Sequence, residues 1–277
     1  MQTATVIGLT IYPVKSLKGI SLQQAELTPQ GLAMDRRWML IDAQQRFITQ
    51  RQQPRMALIS TALTEEGLVL GMPGMGESLV DGSQRQSHQQ ASKVWQDDCL
   101  VTSEGEEVSA WLSEALKSTS PIQLVTMVEG FRRQHEKADL MAQHYSYFAD
   151  AAPFLVANQQ SLDALNRQLE AVGETPVGME RFRPNIVIEG LPAFSEHQTK
   201  QLKHPNYIIK HCYPCERCII TTIDQKTAIK NSRLEPFNSL KRINSLKSAG
   251  KKPVFGENAV LVEGGGLIKL GDELLCK

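Results

Sequence analysis

Short β-branched and aromatic runs recur along this chain at close spacing, each cut off by glycine, aspartate or proline, and this rhythm limits the possible folds more than any other feature. Near the N-terminus Ile7, Leu9 and Ile11 alternate with Gly8, Thr10 and Tyr12 until Pro13 removes a ladder donor. Further runs at 38–41, 47–49, 57–59 and 68–70 follow, and later ones at 185–188, 207–209, 219–220, 259–262 and 267–270. The pattern predicts a mainly β chain arranged as a meandering barrel or sandwich. Residues 73–93, rich in Gly, Ser and Gln, are expected to form a long surface loop.

Two segments change period. Val108, Trp111, Leu112, Ala115 and Leu116 share one face at helical spacing, predicting a helix near 106–118. Leu162, Leu165 and Leu169 do the same between an Asn158 cap and a Gly173 stop, predicting a helix near 159–172. Their apolar stripes are the means of docking a helix on a barrel, so no cofactor contact is assigned to them. With 277 residues the chain can bury one large or two modest cores, and a division into 1–95 and 96–277 is expected.

Lys plus Arg equals Asp plus Glu at 30 each, so no global field draws the chain to nucleic acid or to an anionic membrane. Any anionic ligand must be met by local charge. No apolar stretch approaches the roughly 18 residues needed to span a bilayer. A cytoplasmic location, with thiols kept reduced, is the expectation.

Chemistry concentrates at Cys212, Cys215 and Cys218, where three thiols in seven residues suggest a metal or redox site. The remaining cysteines, Cys99 and Cys276, are isolated, so a zinc site of two cysteine pairs lacks ligands. A bacterial iron–sulfur run needs a cysteine about four residues after Cys218, where Thr222 stands. Arg217 precedes Cys218, and the β-branched run after it reads as a buried strand, placing this thiol at a strand entrance. His211 is the one histidine close enough to the cluster to matter.

The pieces Ile11-Tyr-Pro-Val-Lys-Ser16, Met34-Asp-Arg-Arg-Trp38, Arg51-Gln-Gln-Pro-Arg55, Phe182-Arg-Pro-Asn-Ile186, Cys215-Glu-Arg-Cys218 and Phe255-Gly-Glu-Asn258 occur in the order found in MOSC proteins. The chain resembles the YcbX type of that family, which is similar to the mitochondrial amidoxime-reducing component. The resemblance implies an N-terminal MOSC β-barrel domain, a MOSC β-barrel domain and a molybdenum cofactor between them, with no pyridoxal phosphate required. It implies Cys218 as the single metal ligand, and the charge of Arg217 beside it would favour the thiolate. Lys15, Ser16, Arg36 and Arg183 fall at cofactor-binding positions, where guanidinium forks and an ammonium suit phosphate and pterin edges.

By the same resemblance Asp150, Ala151 and Ala152 run along the cofactor, and Asn185 and Asn258 offer mixed donors and acceptors to a pterin edge. Animal members carry Thr-Ser where this chain has Ala151-Ala152, which preserves backbone contacts and removes hydroxyls. Glu216 stands where relatives have Ser. Asp150 is a candidate proton relay, while Arg37, Arg51 and Arg55 read as surface charges. The implied activity is two-electron reduction of hydroxylamines and amidoximes, a detoxification chemistry. Some YcbX-type relatives continue into a plant-type ferredoxin domain. This sequence has no such cysteine run and no Gly-x-Gly-x-x-Gly after a strand, so either a separate ferredoxin- or flavoprotein-type electron donor is expected or the sequence is a piece of a longer chain. A persulfide carrier and a non-catalytic binding module are the rival readings.

Overall fold

In the computed structural model, which describes residues 2–133, 145–244 and 252–277, seven strands close into a barrel. The opening strand Gln2–Ile11 pairs antiparallel with Ile186–Glu189 on one side and with Glu273–Cys276 on the other. Around the ring follow Gln201–His204, the long Tyr207–Glu216, Val254–Gly264 and Phe154–Asn158, whose parallel pairing with Ile186–Glu189 completes closure. The chain's first and last strands therefore belong to the same barrel. Closure removes the unpaired edges that an open sheet would expose.

The barrel interior is filled by Ala4, Val6, Leu9, Ile11, Phe154, Val156, Ile186, Ile188, Leu202, Ile209, Ala259 and Leu274. The inward set of the first strand is not the expected Ile7, Leu9 and Ile11. A register shift between Val6 and Gly8 moves the buried positions from Ala4 and Val6 to Leu9 and Ile11 and leaves Ile7 half-buried. A glycine suits that bulge, because a Cβ on Gly8 would lie 3.1 Å from Val187 Cβ, a tight contact that Val187 would have to yield to.

A second, antiparallel sheet orders Trp38–Ile41, Gln123–Met127, Asp97–Ser103 and Gln89–Val94, and a three-stranded sheet of Ser60–Leu63, Leu68–Gly71 and Ser78–Val80 accompanies it. Helix α1 (Glu106–Ala115) buries Val108, Leu112 and Ala115 in the core of Leu40, Leu70 and Leu124. Helix α2 (Gln159–Ala171) buries Leu162, Leu165 and Leu169 against Phe182, Phe255 and Leu240, the last carried by α3 (Phe237–Asn244). Asn158 caps α2 by accepting from Gln160 N at 3.3 Å, and Gly173, at φ 75°, ends it as expected. The mainly β architecture with covering helices is thus as the sequence predicts.

Four local expectations are corrected. Residues 57–59 are not a strand: Pro54 starts a 3₁₀ helix, Pro54–Leu58, because its missing N–H costs nothing in a first turn. Phe47 makes only an isolated bridge to Ile41. The supposed loop 73–93 contains Ser78–Val80 and begins the strand Gln89–Val94, where Gln89, Ala91 and Lys93 are exposed while Ser92 and Val94 are buried. The run after Cys218 is a 3₁₀ helix, Ile219–Thr222, with Cys218 at its cap rather than at a strand entrance. There Thr221 Oγ1 donates to Cys218 O at 3.0 Å and Thr222 Oγ1 to Ile219 O at 2.7 Å, a local competition that overrides β-branched propensity.

Candidate functional site

The segment leaving the first strand turns sharply and buries Lys15, whose Nζ donates to Phe148 O at 2.8 Å and forms an ion pair with Asp150. Burial lowers the Lys15 ammonium to about 8 in spite of the attraction of Asp150. Asp150 has a half-exposed side chain, at 54%, and its Oδ1 also accepts from Trp95 Nε1 at 3.0 Å. Desolvation opposes its ionisation, but the Lys15 ion pair, the charge of Arg51 and the indole N–H together hold the carboxyl below its usual range.

Beside this pair the Tyr12 ring carries two guanidinium groups, Arg36 at 4.3 Å and Arg183 at 4.1 Å from its centroid. Arg36 donates to Asp35 Oδ2 at 2.6 Å and to Arg183 O at 3.1 Å, while Arg183 Nη1 donates to Leu17 O at 2.7 Å. Asp35 is itself fixed by accepting from Tyr12 N at 2.8 Å. Burial lowers Arg183 to about 10 and raises Tyr12 and Asp35. Ser16, Arg36 and Arg183 all adopt left-handed backbone, with φ of 68°, 47° and 55°. Such conformations cost free energy in non-glycine residues and collect where backbone must face a ligand.

Cys218 presents a half-buried free thiol, and Arg51 Nη2 donates to its Sγ at 3.1 Å. The Arg51 guanidinium also stacks on Trp95, 4.6 Å from the ring centroid. Contacts therefore run from Cys218 through Arg51, Trp95 and Asp150 to Lys15. A reciprocal amide pair, Gln50 with Gln225 at 3.0 and 2.9 Å, ties the Arg51 loop to the loop after Cys218, and Gln50 also donates to Ser16 O at 2.8 Å.

Arg217 does not serve Cys218 as the sequence suggests. Its Nη1 donates to Cys215 Sγ at 2.8 Å and its Nη2 to Phe182 O at 2.7 Å, because Cys215 and Arg217 lie either side of Glu216, which turns outward to Lys252 at 2.6 Å. Burial still raises the Cys215 thiol, against the pull of Arg217. Asn185 is occupied on both ends: Oδ1 accepts from Leu155 N at 3.1 Å and Nδ2 donates to Thr10 O at 3.2 Å. Ala151 offers its carbonyl to Tyr213 OH at 3.4 Å, and Ala152 packs on Val260. Asn258 is buried on the neighbouring strand, in register with Leu155 and Tyr213. His211 turns away from the thiols, its Nδ1 directed at the carbonyls of Glu196 and Thr199.

Lys15, Ser16, Arg36, Asp150, Arg183 and Cys218 are thus assembled around one contact network, and Arg51, Trp95, Tyr12 and Asp35 join them although sequence alone gives them no role there. For Arg51 the signal was its place in an ordered motif. Trp95 gave none, since it follows a segment that reads as a surface loop. Two donors of this region, Arg183 Nη2 and Arg217 Nε, are buried without a hydrogen-bond partner among the described residues. Buried donors are normally satisfied, so these two N–H groups retain hydrogen-bonding capacity for an acceptor.

Comparison with known proteins follows this geometry. Residues 3–119 match the model of the MOSC N-terminal beta barrel domain and residues 143–275 that of the MOSC domain. Human mitochondrial amidoxime-reducing component 1 is 34% identical over 98% of this chain and 82% of its own length. The chain belongs to the MOSC family. Within that family, mitochondrial amidoxime reducing component 2 of Bos taurus is 33% identical, again over 98% of this chain and 82% of its own. Among the described residues of this MOSC protein, no helix is long and apolar enough to cross a membrane.

Proposed function

We propose that this MOSC protein is a molybdenum-cofactor-dependent reductase of N-hydroxylated compounds, with Cys218 as the single protein ligand to the metal. The observation that carries the reading is the convergence of a free, half-buried thiol with Lys15, Arg36, Arg51 and Arg183 in a chain of zero formal net charge. The names of the amidoxime-reducing relatives supply the substrate class.

The donor set suits the cofactor. A soft thiolate matches molybdenum, and the unpartnered N–H groups of Arg183 and Arg217, with the Lys15 ammonium, suit a phosphate and a pterin edge. When bound, the cofactor supplies the two-electron reduction of an N–O bond. The chain's own residues bind and orient. Arg51 donates to the Cys218 sulfur and steadies it, Arg36 and Arg183 brace one another across Tyr12, and Ala151 and Ala152 contribute backbone. Asp150, held as the carboxylate, accepts hydrogen bonds, and Lys15, at about 8, is the group of the pair able to exchange a proton near neutrality. Electrons come from a separate donor protein of the ferredoxin or flavoprotein class.

The decisive experiment is the Cys218→Ser variant, purified from a cofactor-competent host and compared with wild type for molybdenum, pterin and dye-coupled hydroxylamine reduction. Loss of metal and activity is expected. Retention of both in the variant refutes the assignment, and sulfane sulfur without molybdenum in the wild type turns it toward a persulfide carrier.

A further inference from the structure

Trp95 occupies a place that core packing does not explain. The strands Gln89–Val94 and Asp97–Ser103 pair with Val94 opposite Asp97, so Trp95 and Gln96 alone form the hairpin turn. Trp95 takes φ 58°, a conformation such turns normally give to asparagine or glycine, and the residue is 44% exposed. This indole is nonetheless held in one orientation. Arg51 stacks on it, Phe47 meets it edge-on at 5.3 Å between centroids, and Nε1 donates to Asp150.

The carboxylate beside it is used on one oxygen only. Asp150 Oδ1 receives both Lys15 and Trp95, while Oδ2 takes no hydrogen bond among the described residues. A single guanidinium separates the indole from the Cys218 sulfur. An exposed aromatic surface thus meets an open anionic acceptor near the Cys218 thiol. Flat cationic or N–H-rich groups joined to an aryl ring satisfy both at once, by stacking and by donation to a carboxylate.

Resting on the reductase reading, we propose that Trp95 and Asp150 Oδ2 form the subsite that seats aryl amidines and their N-hydroxy forms, making Trp95 the residue that sets preference for aromatic over aliphatic substrates. Arg51 acts on this subsite as a positioning residue, fixing the indole from one side. Small aliphatic substrates satisfy the carboxylate without using the ring.

The test uses protein purified from a cofactor-competent host, its molybdenum content measured, with benzamidine and acetamidine, two probes that share the amidinium and differ in the ring. Trp95→Ala is expected to lower the benzamidine-over-acetamidine binding ratio about tenfold, the loss of roughly one aromatic contact, and Trp95→Phe to restore it to within about twofold. Asp150→Asn weakens both probes together. In turnover, the kcat/KM ratio of benzamidoxime over acetamidoxime falls with Trp95→Ala through KM rather than kcat. An unchanged benzamidine preference in Trp95→Ala overturns the proposal, as does a loss that phenylalanine fails to restore. A wild type without molybdenum or N-reduction that still shows the Trp95-dependent preference keeps the subsite and refutes only the reductase reading.

Discussion

Arg51 reaches across 167 positions of sequence to place Nη2 3.1 Å from Cys218 Sγ. The contact joins a loop of the N-terminal region to the loop that follows the long barrel strand, and the amide pair of Gln50 and Gln225 locks the same two loops together. A thiol on a loop is set by whatever holds that loop, so the geometry at Cys218 depends on residues far from it in sequence.

Substitution of Arg51 therefore affects the thiol directly. Arg51→Met removes the donor to sulfur and the stack on Trp95, and molybdenum retention during dialysis is expected to fall about tenfold, the scale of one charge-assisted hydrogen bond. Arg51→Lys keeps the charge without the planar fork and should recover only part of the loss. Metal analysis of both variants checks this, and equal retention in all three proteins counts against it.

Lys15 links site and stability through pH. Its ammonium titrates near 8 in the folded protein and near 10.4 when unfolded, so between those values the unfolded chain binds more protons. Stability from this group consequently rises with pH across that window. Lys15→Met should abolish this rise in urea titrations of the metal-free protein while lowering its molybdenum content on reconstitution.

His211, whose ring faces the carbonyls of Glu196 and Thr199, provides an acid-side counterpart. Burial holds its imidazole at about 4, against roughly 6.5 unfolded. The unfolded state binds the extra proton between those values, so folded stability drops as pH falls from about 6.5 to 4. His211→Asn should be less stable than wild type at neutral pH, with a shallower acid slope over this range. Thermal denaturation at several pH values measures both.

Gly31 tests the packing behind the Asp150 loop. Its φ of +124° is closed to other residues, and a Cβ there would lie 2.6 Å from Pro153 O. Gly31→Ala is expected to cost about 2–4 kcal/mol of unfolding free energy by combining backbone strain with a steric clash. Chemical denaturation measures it, and a change under about 0.5 kcal/mol, the scale of a neutral surface substitution, contradicts so close an approach of the two backbones.

Much of the architecture was legible because it rests on local periodicity. The stripes of α1 and α2, the Asn158 cap and most barrel strands follow from which neighbours in sequence are apolar. Two of the misreadings share one cause. At 57–59 and 219–222 the residues have strand propensity, but Pro54 and the back-bonding hydroxyls of Thr221 and Thr222 favour a tighter turn. On the first strand, the bulge at Gly8 exchanges which side chains face inward, a choice made by the approach of Val187 from a strand far along the chain.

The site divides in the same way. Sequence alone determined its chemical inventory, a clustered set of thiols with lysine and arginines in ordered motifs, since residue type governs softness, charge and hydrogen-bonding capacity. Only the tertiary structure decided which guanidinium meets which sulfur: Arg217, next to Cys218 in sequence, goes to Cys215, and Arg51 takes Cys218. Chain neighbours are directed apart by backbone geometry, whereas barrel closure and loop packing bring distant side chains within bonding distance.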